Sequence, residues 1–416
     1  MKLLLKSATI IDEGSPYHNQ KTDILIENGI IKRIGTSAES EENDKVVDIE
    51  NLYVSKGWFD SSVSFGEPGY EERETIANGL KTAAKSGFTA IALNPVSNPV
   101  IDNNGAVTSI LSKAARKPVQ MFPIGALTVR SEGKYLAELF DMKNAGAIAF
   151  GDYKKSVKNP NLLKLALQYT QNFNGLVLSF PLDNDIAGKG LVNEGENSIQ
   201  LGLKGIPAFA EELQIARDLT ILEYAGGKLH IPTISTGKSV DMIREAKEKG
   251  LDVSCSVAIH NITFSDDLLM EFDTNAKVLP PLRIKEDSEK LKQGLEDGTI
   301  DFVTSDHNPV DIEHKKVEFE HAIYGTIGLE TFFGSLLNIF PLEKTIQYLT
   351  NGRSRFGIEE PVIKEGERAE LSLFNPNGKS NFTTDKIYSS SRNSLFLNSE
   401  LTGEVYGIVT GENVVL

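Results

Sequence analysis

The sequence predicts a (β/α)8 barrel with a smaller β domain built from both ends of the chain. Two observations carry this prediction. The middle of the chain alternates short apolar runs with helix-like stretches, and both ends consist of short strand-like runs and turns. Strands that alternate with helices are typical of a parallel sheet with helices packed outside it. Because 416 residues exceed what one compact core needs, we place the β domain at residues 1–54 plus 363–416 and the barrel at residues 55–362.

The two ends of the chain carry strand and turn signals. Residues 8–11 and 23–26 are apolar and rich in β-branched side chains, and Asn28-Gly29 between apolar runs predicts a hairpin. Near the other end, residues 370–374 alternate apolar and polar side chains, and residues 403–416 contain two short strand-like runs. We therefore expect both ends to pair into one small β-sandwich domain.

The middle of the chain contains eight apolar runs suited to buried parallel strands. They cover residues 54–59, 88–93, 119–124, 147–150, 176–180, 229–231, 253–257 and 300–304. Helix-like stretches such as residues 71–85, 208–225 and 241–249 lie between them, and Gly87 and Gly250 follow two of these as helix-ending glycines. Eight such units favour the barrel, and a doubly wound parallel sheet is the alternative.

Composition restricts the partners and the compartment. The formal charge of −15 argues against nucleic acid or an anionic membrane as the main partner. No apolar stretch reaches the roughly 20 residues of a membrane span. A single cysteine, Cys255, excludes an intrachain disulfide, and as a thiol inside an apolar run it is expected to be inert. We expect a cytoplasmic protein.

A series of short motifs runs in order along almost the whole chain. They include Glu67-Pro68-Gly69, Asn193-Glu194-Gly195, Ala210-Glu211-Glu212, Arg217-Asp218, Pro280-Pro281-Leu282-Arg283, Asp306-His307 and Gly328-Leu329-Glu330-Thr331. Together they resemble the dihydroorotases of the amidohydrolase superfamily. The resemblance implies a distorted (β/α)8 TIM barrel of the amidohydrolase type. It also implies one or two divalent metal ions that activate water to interconvert N-carbamoyl-aspartate and dihydroorotate.

The metal-ligand positions implied by the resemblance hold other residues. The His-x-His pair of the first barrel strand falls on Ser62 and Ser64, and two later histidines fall on Phe180 and Thr233. Alternation along a strand points the first two side chains to one face, but hydroxyls are poor substitutes for imidazole. Asp306 is the one ligand that is clearly kept, and in an active enzyme it would bind metal and shuttle a proton.

The bridging carboxylate and the substrate-binding positions also depart from the family pattern. An Asp-Asp-Gly run falls on Asp152, Tyr153 and Lys154, so one aspartate of two remains and either position could be the bridging one. Substrate-binding positions of the family are occupied by small or apolar residues, namely Gly66, Val96, Leu279 and Val310. We therefore expect no metal and no family substrate at the site, and regard Asp306 as vestigial.

None of the six histidines stands at a ligand position of the family. We expect His230, His260 and His307 to be hydrogen-bonded barrel residues. Without a metal, the Asp306 carboxylate is expected to be held by nearby backbone N–H groups or by His260.

Three functional hypotheses remain. The first is an inactive dihydroorotase-like scaffold with a structural or regulatory role, with aspartate transcarbamoylase as the partner that the resemblance implies. The second is an active metal-dependent cyclic-amide hydrolase with rebuilt ligands, which would hold zinc. The third is a protein that binds a small molecule in the barrel mouth. The resemblance also implies a homodimer.

Overall fold

The computed structural model describes residues 2–35 and 45–416 and contains a closed barrel and a terminal sheet. The eight barrel strands, in chain order β1 to β8, are Trp58–Val63, Phe88–Leu93, Gln120–Gly125, Ala149–Phe150, Leu176–Leu178, Lys228–Ile231, Val253–Ala258 and Phe302–Thr304. Neighbouring strands pair in parallel. A parallel bridge between Val63 and His307 joins the two ends of this row and closes the barrel.

Helices connect the strands on the outside of the barrel. The longer ones, α1 to α9, are Ile76–Lys85, Asn104–Ala114, Leu139–Ala145, Pro160–Thr170, Phe209–Ala225, Gly237–Glu248, Lys285–Glu296, Phe332–Ile339 and Leu342–Thr350. Helix α1 begins where the Thr75 hydroxyl caps the amide of Asn78, and it ends before Gly87, whose φ of +89° favours glycine. No helix among residues 2–35 and 45–416 is long and apolar enough to cross a membrane.

Apolar side chains fill the barrel interior. One buried cluster draws on six of the eight strands and includes Phe59, Ala92, Ile124 and Phe302. A larger cluster lies between the strands and the outer helices, with Trp58 stacked on Phe333 at a centroid distance of 4.9 Å. The barrel is therefore packed through its length, and polar chemistry is confined to the ends of the strands.

Both ends of the chain form the second domain. Its strands are Lys2–Ile11, Lys21–Glu27, Ile30–Ile34, Lys45–Val47, Tyr53–Lys56, Glu370–Asn381, Glu400–Thr410 and Asn413–Val415. They hydrogen-bond as one eight-stranded sheet and enclose an apolar core of their own. The predicted combination of a barrel with a sheet domain built from both termini is confirmed.

The domain borders differ from the predicted ones in two places. Strand Tyr53–Lys56 pairs with residues of both termini, so the sheet domain extends past residue 54. Residues 384–398 leave the sheet and pack on the barrel, where the Asn393 side chain accepts a hydrogen bond from the amide of Val310 at 3.0 Å. This returning segment thus contributes to the barrel mouth.

Candidate functional site

Asp306 lies at the mouth of the barrel, just after β8, and its carboxylate is held by three side chains. Ser62 on β1 donates to Oδ1 at 3.0 Å, and the Tyr153 hydroxyl donates to the same oxygen at 2.9 Å. The Lys154 ammonium lies 2.8 Å from Oδ2. The expectation that backbone N–H groups or His260 would hold this carboxylate is wrong, because Ser62 on β1 and two side chains of the loop after β4 are its partners.

Tyr153 and Lys154 reach Asp306 because of the backbone of this loop. Lys154 has a φ of +52°, in the left-handed region that is costly for residues other than glycine. Asp306 and Thr233 share this conformation, with φ values of +49° and +51°. Burial, and then the charge of Asp306, raise the pKa of Tyr153 well above its usual value, so its hydroxyl stays a donor.

The two serines at the family's His-x-His positions belong to the same network. Asn94, at the end of β2, donates to Ser62 Oγ at 3.1 Å and to Ser64 Oγ at 3.2 Å. Asp60 lies two residues before Ser62 on β1 and accepts a hydrogen bond from the Thr304 hydroxyl. Burial raises the pKa of Asp60 to about 6. The hydroxyls are therefore engaged by neighbouring side chains of the barrel.

The other sequence-predicted positions divide into two groups. Phe180 and Leu279 pack together in a small apolar cluster at the mouth, and Thr233 lines the same cavity as Ser62 and Phe180. Gly66, Val96 and Val310 do not line that cavity. A side chain cannot replace Gly66 here, since an added Cβ would lie 1.7 Å from the carbonyl oxygen of Tyr70.

Asp152 lines the same cavity, but its carboxylate bonds to Thr128 and not to Asp306. It accepts hydrogen bonds from the backbone amide of Thr128, at 3.1 Å, and from the Thr128 hydroxyl. The neighbouring position, Tyr153, is the one that faces Asp306. Sequence reasoning left Asp152 and Tyr153 open as the bridging position, and it did not predict that Tyr153 and Lys154 would bind Asp306. One sign of this contact was visible in the sequence, because Lys154 stands where the family run has glycine.

The mouth cavity is small. It is lined by Asn94, Tyr153, Lys154, Phe180 and Thr233, among others, and offers about 30 Å³ to the centre of a water-sized sphere. That is room for about one or two water molecules. The side chains at the mouth thus leave little free space in this cavity.

The three buried histidines differ in their hydrogen bonding. His230 bonds the hydroxyls of Ser254 and Ser256, and His307 Nδ1 accepts the amide of Gly328 at 3.2 Å, as expected for barrel residues. His260 was expected to be hydrogen-bonded as well, but neither of its ring nitrogens has a partner among the described residues. Burial lowers the pKa of His260 to about 4.

His260 should make the protein sensitive to acid. Its pKa is about 4 in the folded chain and 6.5 in the ordinary state, so the unfolded chain binds the proton first as pH falls. The stability that depends on a neutral His260 is therefore fully present above pH 6.5 and is lost as the pH falls towards 4. We expect the wild type to lose about 3 kcal/mol relative to His260→Leu between pH 7 and pH 4 in urea unfolding. Exposed His321→Leu is the control, and equal pH slopes for all three proteins would contradict the prediction.

Comparison with known proteins assigns the family. The dihydro-orotase-like family model matches residues 52–239. A protein named dihydroorotase from Ruminiclostridium cellulolyticum is 39% identical over 424 residues, which cover 100% of this chain and 99% of that protein. This chain belongs to the dihydroorotase family. A second dihydroorotase, from Pelotomaculum thermopropionicum, is 37% identical to this family member over 423 residues, with the same coverage.

Two solved structures share the fold of this dihydroorotase-family chain. A D-hydantoinase gives a TM-score of 0.84 at 19% identity and covers 100% of this chain and 95% of that one. The L-hydantoinase of Arthrobacter aurescens gives 0.82 at 21% identity, with 99% and 95% covered. At these identities the comparison concerns architecture alone.

Several dihydroorotase motifs persist here as a buried network beside the mouth. Arg283 donates to Asn193 Oδ1 at 2.9 Å and to Ser235 Oγ at 3.1 Å, and its guanidinium lies 4.0 Å from Glu211. Glu211 in turn accepts the amide of Ser235 at 2.8 Å and the hydroxyl of Ser239 at 2.7 Å. These residues hold loops together, which gives their motifs a structural role in this family member.

Proposed function

We propose that this dihydroorotase-family protein lacks the metal-dependent hydrolase reaction and acts as a scaffold for a protein partner. The observation that carries the proposal is the engagement of Asp306. Both of its carboxylate oxygens are occupied, by Ser62 and Tyr153 on one side and by the Lys154 ammonium on the other. A metal ion would have to displace a cation that is covalently part of the chain.

The donor set at the mouth does not fit a divalent ion. Zinc sites use imidazole, thiolate and carboxylate ligands, whereas the family positions here present hydroxyls at Ser62, Ser64 and Thr233 and a ring at Phe180. Among residues 2–35 and 45–416, no group of three or more His, Cys, Asp or Glu side chains is placed to hold a metal.

The surroundings of Asp306 also argue against the family substrate. The position that the resemblance assigns to a carboxylate-binding arginine is Gly66, where the backbone of Tyr70 leaves no room for a side chain. Phe180 and Leu279 pack in an apolar cluster. A dicarboxylate such as N-carbamoyl-aspartate would lose its hydrating water here and meet only Lys154, whose ammonium is already paired with Asp306.

The test combines metal content with turnover. Protein purified without chelator is expected to contain no stoichiometric zinc and to show no dihydroorotase turnover in either direction. Asp306→Asn, assayed beside it, should behave as the wild type does. About one metal ion per chain, with turnover that Asp306→Asn abolishes, would overturn the proposal.

Bound metal together with turnover would identify an active cyclic-amide hydrolase with rebuilt ligands. The observation in favour of this alternative is the full-length similarity to proteins named dihydroorotase. It requires Lys154 to leave Asp306 when metal binds.

The partner we propose is aspartate transcarbamoylase, as the family resemblance implies, with the chain itself a homodimer. Mixing the two purified proteins should give a complex of greater mass than either alone in size-exclusion chromatography with light scattering. If the two proteins elute separately at about 10 μM each, aspartate transcarbamoylase is not the partner. The proposal that the barrel is inactive would be unaffected by that result.

A further inference from the structure

A second cavity lies at the junction of the two domains, away from the barrel mouth. It has a volume of about 360 Å³ and opens between α1, α8 and the two long strands of the sheet domain. Three lysines and three aromatic side chains line it, namely Lys85, Lys379, Lys386, Phe333, Phe382 and Tyr388. Clefts between domains are common places for small-molecule sites.

The charge of this junction cleft is unlike that of the whole chain. The protein carries a net charge of −15, yet three ammonium groups converge here. Lys379 pairs with Glu400 at 2.6 Å. Within the described part of the chain Lys85 and Lys386 form no salt bridge, although the charge of Lys386 acts on the neighbouring Asp385 carboxylate. Lys85 Nζ lies 4.5 Å from the centre of the Tyr388 ring, and this ammonium group is the one best placed to meet an anion from outside.

Two carboxyl groups line the cleft beside its lysines. Glu330 accepts hydrogen bonds from the amide of Ser389 at 3.0 Å and from its hydroxyl at 2.6 Å. Burial raises the pKa of Glu330 above its usual value. Glu404 is the second carboxyl.

Unpartnered polar atoms occur in the wall of the cleft. The hydroxyl of Ser86 is buried, as only 4% of this residue is exposed, and it has no hydrogen-bond partner among the described residues. The same holds for Glu330 Oε2. Buried polar groups rarely stay unpaired, so the Ser86 hydroxyl can donate to a group in the cleft, whereas Glu330 Oε2 can only accept.

We propose that the junction cleft binds a small organic anion with a flat ring. The ammonium groups of Lys85 and Lys386 attract its carboxylate, sulfonate or phosphate, and the ring packs against the aromatic wall that includes Tyr388. Ring stacking and the cation beside it act on the same ligand, so both should contribute to affinity. This site is independent of the barrel mouth and of the function proposed for it.

Calorimetric titration with three probes tests the proposal: benzoate, 1-naphthalenesulfonate and adenosine 5′-monophosphate. At least one is expected to bind the wild type with a dissociation constant below about 1 mM, and to bind more weakly as salt is raised. The double variant Lys85→Gln/Lys386→Gln should weaken that binding about tenfold or more, and Tyr388→Leu should weaken it with both lysines in place. Lys344→Gln, on the exposed face of α9, is the matched control.

Two results would overturn the proposal. One is that none of the three probes binds at about 5 mM. The other is that binding survives unchanged in the folded double variant, with folding checked by circular dichroism. Inorganic phosphate and adenosine, titrated separately, should each bind more weakly than adenosine 5′-monophosphate.

Discussion

Replacing Lys154 with alanine is expected to lower the free energy of unfolding by about 3–5 kcal/mol. The Lys154 side chain is 11% exposed and that of Asp306 is 1% exposed, so the variant leaves a buried carboxylate without its counterion. The hydrogen bonds from Ser62 and Tyr153 remain, but neither carries a charge. Urea unfolding at pH 7, followed by circular dichroism, measures the difference.

Neighbouring Lys155 provides the matched control for this prediction, because its side chain is exposed. Lys155→Ala should change the free energy of unfolding by less than about 0.5 kcal/mol. Lys154→Gly should cost about 1 kcal/mol less than Lys154→Ala, since glycine accepts the φ of +52° without strain. If Lys154→Ala is as stable as Lys155→Ala, the ion pair with Asp306 does not hold the mouth closed.

Replacing Arg283 with methionine should destabilise the protein to a similar degree, by about 3–5 kcal/mol. The side chains of Arg283 and Glu211 are 2% and 1% exposed. The variant keeps the volume but removes the donors to Asn193 and Ser235, and it leaves the Glu211 carboxylate buried. The same urea unfolding assay applies.

Arg244 offers a surface comparison for this second variant. It pairs with Asp241 and Asp297 at 2.7 and 2.8 Å, but all three side chains are at least 35% exposed. Arg244→Met should therefore cost no more than about 1 kcal/mol. Equal losses for the two arginine variants would mean that the buried network is dispensable.

The eight strands of the barrel could be predicted because each contains or adjoins an apolar run, whereas the ends of the strands could not. The apolar run at residues 54–59 belongs to two sheets, with Tyr53–Lys56 in the terminal domain and β1 in the barrel. The change occurs at Gly57, where an added Cβ would lie 2.1 Å from Thr89 Oγ1. Hydrophobicity is equal on both sides of that glycine, so composition gave no sign of the switch.

At the mouth, the sequence identified which family residues are missing but not what replaces their interactions. The contact between Lys154 and Asp306 depends on a left-handed backbone at Lys154 and on two loops that meet across the barrel. Neither the left-handed backbone nor the meeting of the two loops produces a periodic pattern in the sequence. The replacement of a family glycine by lysine was the one visible clue, and only the fold shows that its ammonium points at Asp306.

The terminal sheet has a consequence for synthesis of the protein. Strand Tyr53–Lys56 pairs with residues 371–374, and the amide of Trp58 donates to Ser372 Oγ, 314 positions along the chain. The first strands therefore leave the ribosome with an unpaired edge that stays open until almost the whole barrel has been made. Exposed strand edges favour aggregation, so this domain should be the last part to fold and the part most dependent on chaperones.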